Sequence, residues 1–259
     1  VIRIPVLSLL LTLSAVGDGV LDVAAANPGF PPANQLRISG NACGAAALLT
    51  AFGSGTGRWQ ERVSVIPSED ERLRMSYIIR VFGTRPSQHL ERKRWNRTSG
   101  IGLADLTDIA NEMCGDRWLP EIRSEILLQG KRESPQGLLK RAHSRLEKSF
   151  KKGLPPIISL QRLALRKDAR SPNPAWHMVH GHFVTVVAMP GKLDRKAASF
   201  RFRYADPWGG RTAEGVIHTD DRSGYPALVA SVPRSEIGED RLKAGESSIV
   251  VLSAVLGAF

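Results

Sequence analysis

The chain is predicted to fold as α+β, with helices in its first half and strands in its second. Three observations carry this. Helical apolar spacing dominates up to about residue 150, and strand-like runs follow it. The two patterns do not alternate, which argues against a parallel α/β sheet. The 259 residues, 42% apolar and 24% charged, suffice for one large packed domain and exclude a disordered chain.

The N-terminus is expected to be a signal peptide, residues 1–26, ahead of a single domain, 27–259. Ile4 to Val16 is an apolar run after Arg3, shorter than the roughly 20 residues a membrane span needs. Ala24-Ala25-Ala26 offers an A-x-A cleavage site and Ala15-Val16-Gly17 a second. A buried strand or helix is the competing reading. Export predicts a secreted or periplasmic protein, where two cysteines can bridge.

Asn27 to Pro32 is a Pro/Gly leader. Ala42 to Phe52 is small and apolar throughout, a buried helix stopped by Gly53-Ser54-Gly55-Thr56-Gly57. Ser68 and Glu71 form a capping box for a helix to about Phe82, with Leu73, Tyr77, Ile78 and Val81 on its inner face. Leu103 to Cys114 repeats Leu103, Leu106, Ile109, Ala110 and Met113 at helical spacing. Ser134-Pro135 caps a helix that Gly153 ends. Strands are expected at Pro156–Leu160, His182–Met189, Ser199–Tyr204, Gly215–His218 and Ser248–Val255.

Two cysteines cannot build a disulfide framework, and no CxxC pair offers a zinc ribbon. There is no P-loop, GxSxG or HExxH. Four features can carry chemistry. Cys43 opens the buried helix, where unpaired N–H groups and the helix dipole stabilise a thiolate; the plainer reading is a small buried hydrophobe. His182 enters an apolar strand after Gly181 and can act as general base to a thiol. His177 and His180 stand close by, but no neighbouring Cys, Asp or Glu completes a ligand set, so no metal is expected there. Asp206 ends the next strand, placed to orient an imidazole, with Trp208 able to cover that bond. Asp206-Pro207-Trp208-Gly209 also reads as an ordinary turn. Gln35 precedes Cys43 by eight residues and can donate to an oxyanion; Asn34 and Asn41 are its neighbours in that role.

The order of Gln35, Asn41-Ala42-Cys43-Gly44-Ala45-Ala46-Ala47-Leu48, Gly181-His182-Phe183-Val184-Thr185-Val186-Val187 and Ala205-Asp206-Pro207-Trp208-Gly209 resembles the papain-like cysteine peptidase superfamily. The likeness is to the branch of bacteriocin-leader-processing peptidases and their stand-alone bacterial relatives. It implies a papain-like fold, the nucleophile helix packed on a C-terminal antiparallel sheet. It implies Cys43 as nucleophile, His182 as base then acid, Asp206 as orienter and Gln35 in the oxyanion hole. The function so implied is cleavage of an amide or peptide bond through a thioester, without metal or organic cofactor. Two rivals stand beside it: an acyltransferase on the same fold, and a non-catalytic binding module with Cys43 and Cys114 bridged.

The net charge of +11 rises to +12 once residues 1–26, with one base and two acids, are removed. Residues 131–152 hold eight bases and two acids, half of that excess. The bland reading is a solvated helix face. The sharper one is an anionic envelope polymer as partner. Aromatics do not interleave with these bases, so no nucleic-acid platform is expected. The mature chain is expected to be a monomer with no membrane span.

Overall fold

A computed structural model describes residues 20–38, 41–115, 118–167, 173–220 and 222–259. Strand β1 (Val23–Ala24) leads into α1 (Cys43–Ser54), α2 (Gly57–Ser64) and α3 (Glu71–Ile78), which runs on as a π turn, Ile79–Gly83. The hairpin β2 (Trp95–Asn96) and β3 (Gly100–Ile101) precedes α4 (Leu103–Cys114), β4 (Arg123–Ile126) and α5 (Pro135–Lys151). Six strands follow: β5 (Ile157–Lys167), β6 (Pro174–Met189), β7 (Ser199–Asp206), β8 (Arg211–His218), β9 (Leu228–Ser231) and β10 (Ser248–Gly257).

These six strands correct the expected fold class. The papain-like arrangement, a helical half on a C-terminal sheet, is not what forms. The strands close into an antiparallel barrel in the order β6-β5-β10-β9-β8-β7, because β6 pairs with both β5 and β7. Only five α-helices accompany it among the described residues. Closure has a visible cause. β6 is 16 residues long, twice the expected strand, and its register shifts at Val186/Ala188 where it passes to β7. β5 and β10 carry further shifts, at Arg162/Leu163 and Leu252/Ala254. Such irregularities bend strands and let a sheet meet its own edge. Inward residues Leu160, Val184, Val186, Phe200, Phe202, Tyr204, Ile217 and Leu252 fill the barrel, closed by Leu138, Leu139, Ala142 and Leu146 of α5.

The helices behave largely as their patterns dictate. α1 is buried from Gly44 to Ser54, as an all-round apolar helix must be. It packs on the outer face of β6, where the Thr185 hydroxyl donates to the Ala47 carbonyl at 3.0 Å. α4 and α5 start where the sequence places them, and Ser134 Oγ accepts from Gly137 N–H at 3.0 Å. Gly153 ends α5 at φ +79° and accepts Thr56 N–H at 2.9 Å, tying that end to the α1–α2 corner.

The capping box is corrected. Asp70, not Ser68, caps α3 by accepting from Leu73 N–H at 2.9 Å, and Glu71 instead accepts Asn34 N–H. Leu73 is exposed while Met75, Ile78 and Ile79 are buried, so Met75 and Ile78 set the inner face, and the π turn from Ile79 shifts Val81 out of helical phase to a half-buried position. Helix α2 was not predicted: it is polar overall and buries only Trp59, Arg62 and Val63.

The apolar run and the Ala15–Gly17 site lie outside the described residues. Val23 and Ala24 pair with Met189 and Ala188, and Ala25 is buried with its N–H on Val187 O. Cleavage after Ala26 would therefore strip a short strand from β6. No helix among the described residues is long and apolar enough to cross a membrane.

Candidate active site

Strand alternation brings two of the expected residues together. His182 shares a face with Val184 and Val186, and Asp206 shares one with Phe202 and Tyr204. The Thr185–Ala205 pairing sets Asp206 diagonally across from His182. His182 Nε2 donates to Asp206 Oδ1 at 2.7 Å, with both side chains buried. Asp206 Oδ1 also accepts Trp208 N–H at 2.8 Å, and Oδ2 accepts the Ser235 hydroxyl. Every oxygen of this buried carboxylate is thus occupied, as burial of a charge demands. Trp208 contributes its backbone to Asp206, where its ring was expected to act.

Residues of opposite parity on β6 face α1. Phe183 packs there with the helical core, and its N–H reaches the Cys43 sulfur, as does that of Gly44. With Nε2 of His182 on Asp206, Nδ1 is the ring nitrogen left for the thiol. Ala42 precedes the helix without a side-chain cap, so no side chain competes for the first N–H groups. Space at Gly44 is tight: a Cβ there would stand 3.2 Å from Leu106 Cδ1, which would have to give way by a few tenths of an ångström.

The electrostatics separate the two cysteines. Burial alone pushes the Cys43 thiol up, but the hydrogen bond and charge of His182, with the Phe183 and Gly44 N–H groups, hold it below its ordinary value. Burial disfavours a charged His182, yet Asp206 and Cys43 raise it to about 9. Asp206 is opposed by burial and held low by His182, Ser235 and the Trp208 N–H. These directions favour a thiolate–imidazolium pair over the neutral one. At Cys114 burial pushes the thiol up to about 11, with only Arg62 pulling it back. Both cysteines are free. His180 is driven down by burial, Arg241 and His182, so it stays neutral beside the charged ring.

Cys43 and His182 open on a cleft of about 360 Å³, walled by Asn41, the segment 98–101, Ser159, Gln161 and Arg241. Asn41, His180 and Arg241 also border a second cavity of about 520 Å³ that carries Glu236, Glu239 and Asp240. A larger hollow, about 740 Å³, surrounds Cys114 with Arg58, Arg62 and Trp118. Among the described residues its lining holds Glu61 but no histidine, and burial keeps its thiol protonated at neutral pH, so size alone does not locate the chemistry.

Gln35 starts a 3-10 turn, is buried, and donates its backbone N–H to Pro207 O at 2.9 Å. The turn is thereby fixed beside Asp206. Asn34 caps the turn, whereas Asn41 donates to Arg97 O and Thr98 O and fastens the cleft wall. Sequence reasoning missed Ser235, a serine in a loop with no motif, and the 98–101 wall. The short-range pattern around Ser235 contains no signal for its role.

On the basic segment, Arg141 pairs with Glu125 and Glu133 at 2.6 and 2.8 Å, and Lys151 pairs with Glu147. Arg145 also binds Glu125. Part of the expected free positive face is therefore neutralised internally. The chain matches no protein-family model and no curated protein.

Proposed function

We propose that the chain is a cysteine hydrolase that cleaves an amide or peptide bond through Cys43, His182 and Asp206. The observation that carries the reading is geometric: buried His182 is bound to Asp206 at 2.7 Å through Nε2 and hydrogen-bonded to the Cys43 thiol, and the lowered thiol and raised imidazole accord with it. The motif order that resembles papain-like peptidases supports the same reading; the fold adds nothing to it.

In this mechanism the Cys43 thiolate attacks the carbonyl carbon and the C–N bond breaks as His182 protonates the leaving amine. The Cys43 backbone N–H and the Gln35 amide stabilise the oxyanion. Water, deprotonated by His182, then cleaves the thioester and restores the thiol. Asp206 keeps the ring oriented and stabilises its charged form. The N-terminal pattern supports action outside the cytoplasm.

The test is covalent labelling with a thiol-directed peptidyl probe, read by intact mass at neutral pH. Cys43→Ala should abolish the adduct and Cys114→Ala should retain it. Labelling that follows Cys114, or that ignores both substitutions, overturns the proposal.

A further inference from the structure

Helix α4 turns a row of acids toward the loop 85–94. Glu112 is the simplest: it receives Arg85 and Arg94 at 2.7 and 2.8 Å. One turn earlier, Asp108 Oδ2 meets His89 Nε2 at 3.0 Å. One further turn back, Asp105 is 1% exposed, and neither of its carboxylate oxygens has a hydrogen-bond partner. A buried, unpaired carboxylate is among the most costly groups a fold can hold. Ligand atoms of His89, Asp105 and Asp108 all lie within 4.8 Å of one another.

From this we infer a divalent transition-metal site, with zinc the best-fitting ion, held by His89 Nε2 and one oxygen each of Asp105 and Asp108. The three side chains offer one imidazole and two carboxylates, a donor set suited to zinc and its neighbours and poor for calcium, which takes six or more oxygens. Tetrahedral zinc with bonds near 2.0–2.1 Å sets neighbouring ligand atoms about 3.3 Å apart. The His89–Asp108 pair, at 3.0 Å, needs to open by only about 0.3 Å, and the rest of the cluster needs a contraction of roughly 1.5 Å at most. His89 is 43% exposed, which leaves an entry path and room for water as fourth ligand. Asp105 and Asp108, at i and i+3, present their oxygens from one helical face.

The ion would join α4 to the loop leading into the β2–β3 hairpin, whose residues 98–101 wall the cleft. Its role is to hold that wall in place, since none of its three ligands lines the cleft or belongs to the Cys43–His182–Asp206 set.

Arg94 is the competitor. It too is buried, its Nε and Nη1 have no hydrogen-bond partner, and its charge acts on Asp105. Arg92 Nη2 also lies close, within reach of Gly102. If these guanidiniums neutralise Asp105 alone, no metal is needed.

The experiment uses the full chain carrying Cys43→Ala, so that the thiolate dyad cannot bind the metal. Zinc is titrated by calorimetry, and cobalt(II) by absorption. The expected result is one equivalent bound, weakened about tenfold or more by His89→Ala and by Asp105→Asn, with cobalt d–d bands and no thiolate charge-transfer band. His89 is exposed, so its substitution remains informative if Asp105→Asn fails to fold. Absence of saturable binding, binding indifferent to His89→Ala, or a thiolate-type cobalt spectrum implicating Cys114 would each overturn the site.

Discussion

Replacing Asp206 by Asn separates the charge of the proposed triad from its geometry. Asn retains an oxygen for the two donors that now meet Oδ1, the His182 ring and the Trp208 N–H. Its amide can donate to Ser235, whose hydroxyl turns from donor to acceptor. What disappears is the negative charge. A hydrogen bond to a charged group is worth about 1.5–3 kcal/mol and a neutral one about 0.5–1.5 kcal/mol, a difference of about 1–1.5 kcal/mol. At roughly 1.4 kcal/mol per pH unit, this moves the titration by about one unit, and the lost Coulomb attraction adds to it. The sign follows from the group. Against burial, His182 is raised to about 9 by Asp206, whose hydrogen bond is the largest raising cause, and by Cys43, so losing the Asp206 charge lowers its deprotonation midpoint. A less charged ring in turn stabilises the Cys43 thiolate less, and the acid limb of thiol reactivity moves up. The window in which thiolate and imidazolium coexist narrows from both sides. Imidazole proton resonances followed by NMR should show the upper midpoint fall, and iodoacetamide alkylation of Cys43 against pH should show the lower limb rise. Both are macroscopic properties of the coupled dyad. An upper midpoint that stays near 9, with an unchanged alkylation profile, would refute the assignment of Asp206.

Ser235→Ala removes a donor to Asp206 Oδ2 inside the barrel end, so the fold should lose about 1.5–3 kcal/mol, read by urea denaturation, while Cys43 alkylation keeps most of its rate. Gly153→Ala meets both a positive φ of 79° and Thr56 Oγ1 at 2.5 Å; a loss of about 1–3 kcal/mol is expected, seen as a lower urea midpoint at constant slope. Thr185→Val deletes the bond that fastens β6 to α1 at Ala47 O; it should cost about 1–2 kcal/mol and slow Cys43 alkylation, because helix and histidine strand share that anchor. Equal alkylation in Thr185→Val and the parent would show that the anchor serves stability alone.

The histidine that pairs with Asp206 was legible because His182, unlike His177 and His180, leads directly into an unbroken apolar run. Its raised value and the lowered value of His180 then follow from the structure, since burial depresses both while Asp206 raises the one and Arg241 lowers the other, from 24 and 61 residues away. The cap of α3 was misread for a comparable reason. Ser68 and Asp70 are both competent caps, and the choice between them was made when Glu71 turned to Asn34.

By itself the sequence determined what depends on near neighbours. The helices at 43–54, 103–114 and 135–151 start and stop where small residues, apolar spacing, Ser134-Pro135 and Gly153 require it. Cys43 at a helix start and His182 and Asp206 on strand faces belong to the same class. Only the tertiary structure decided that the strands close into a barrel, that Ser235 completes the acid, that 98–101 walls the cleft, and that Asp105 lies buried beside His89. Alternation along a strand states which face a residue takes and not which strand will lie beside it. That choice is made by pairings such as Thr185 with Ala205 and by the bulges that bend β5, β6 and β10, whose energies are shared between segments far apart in the chain.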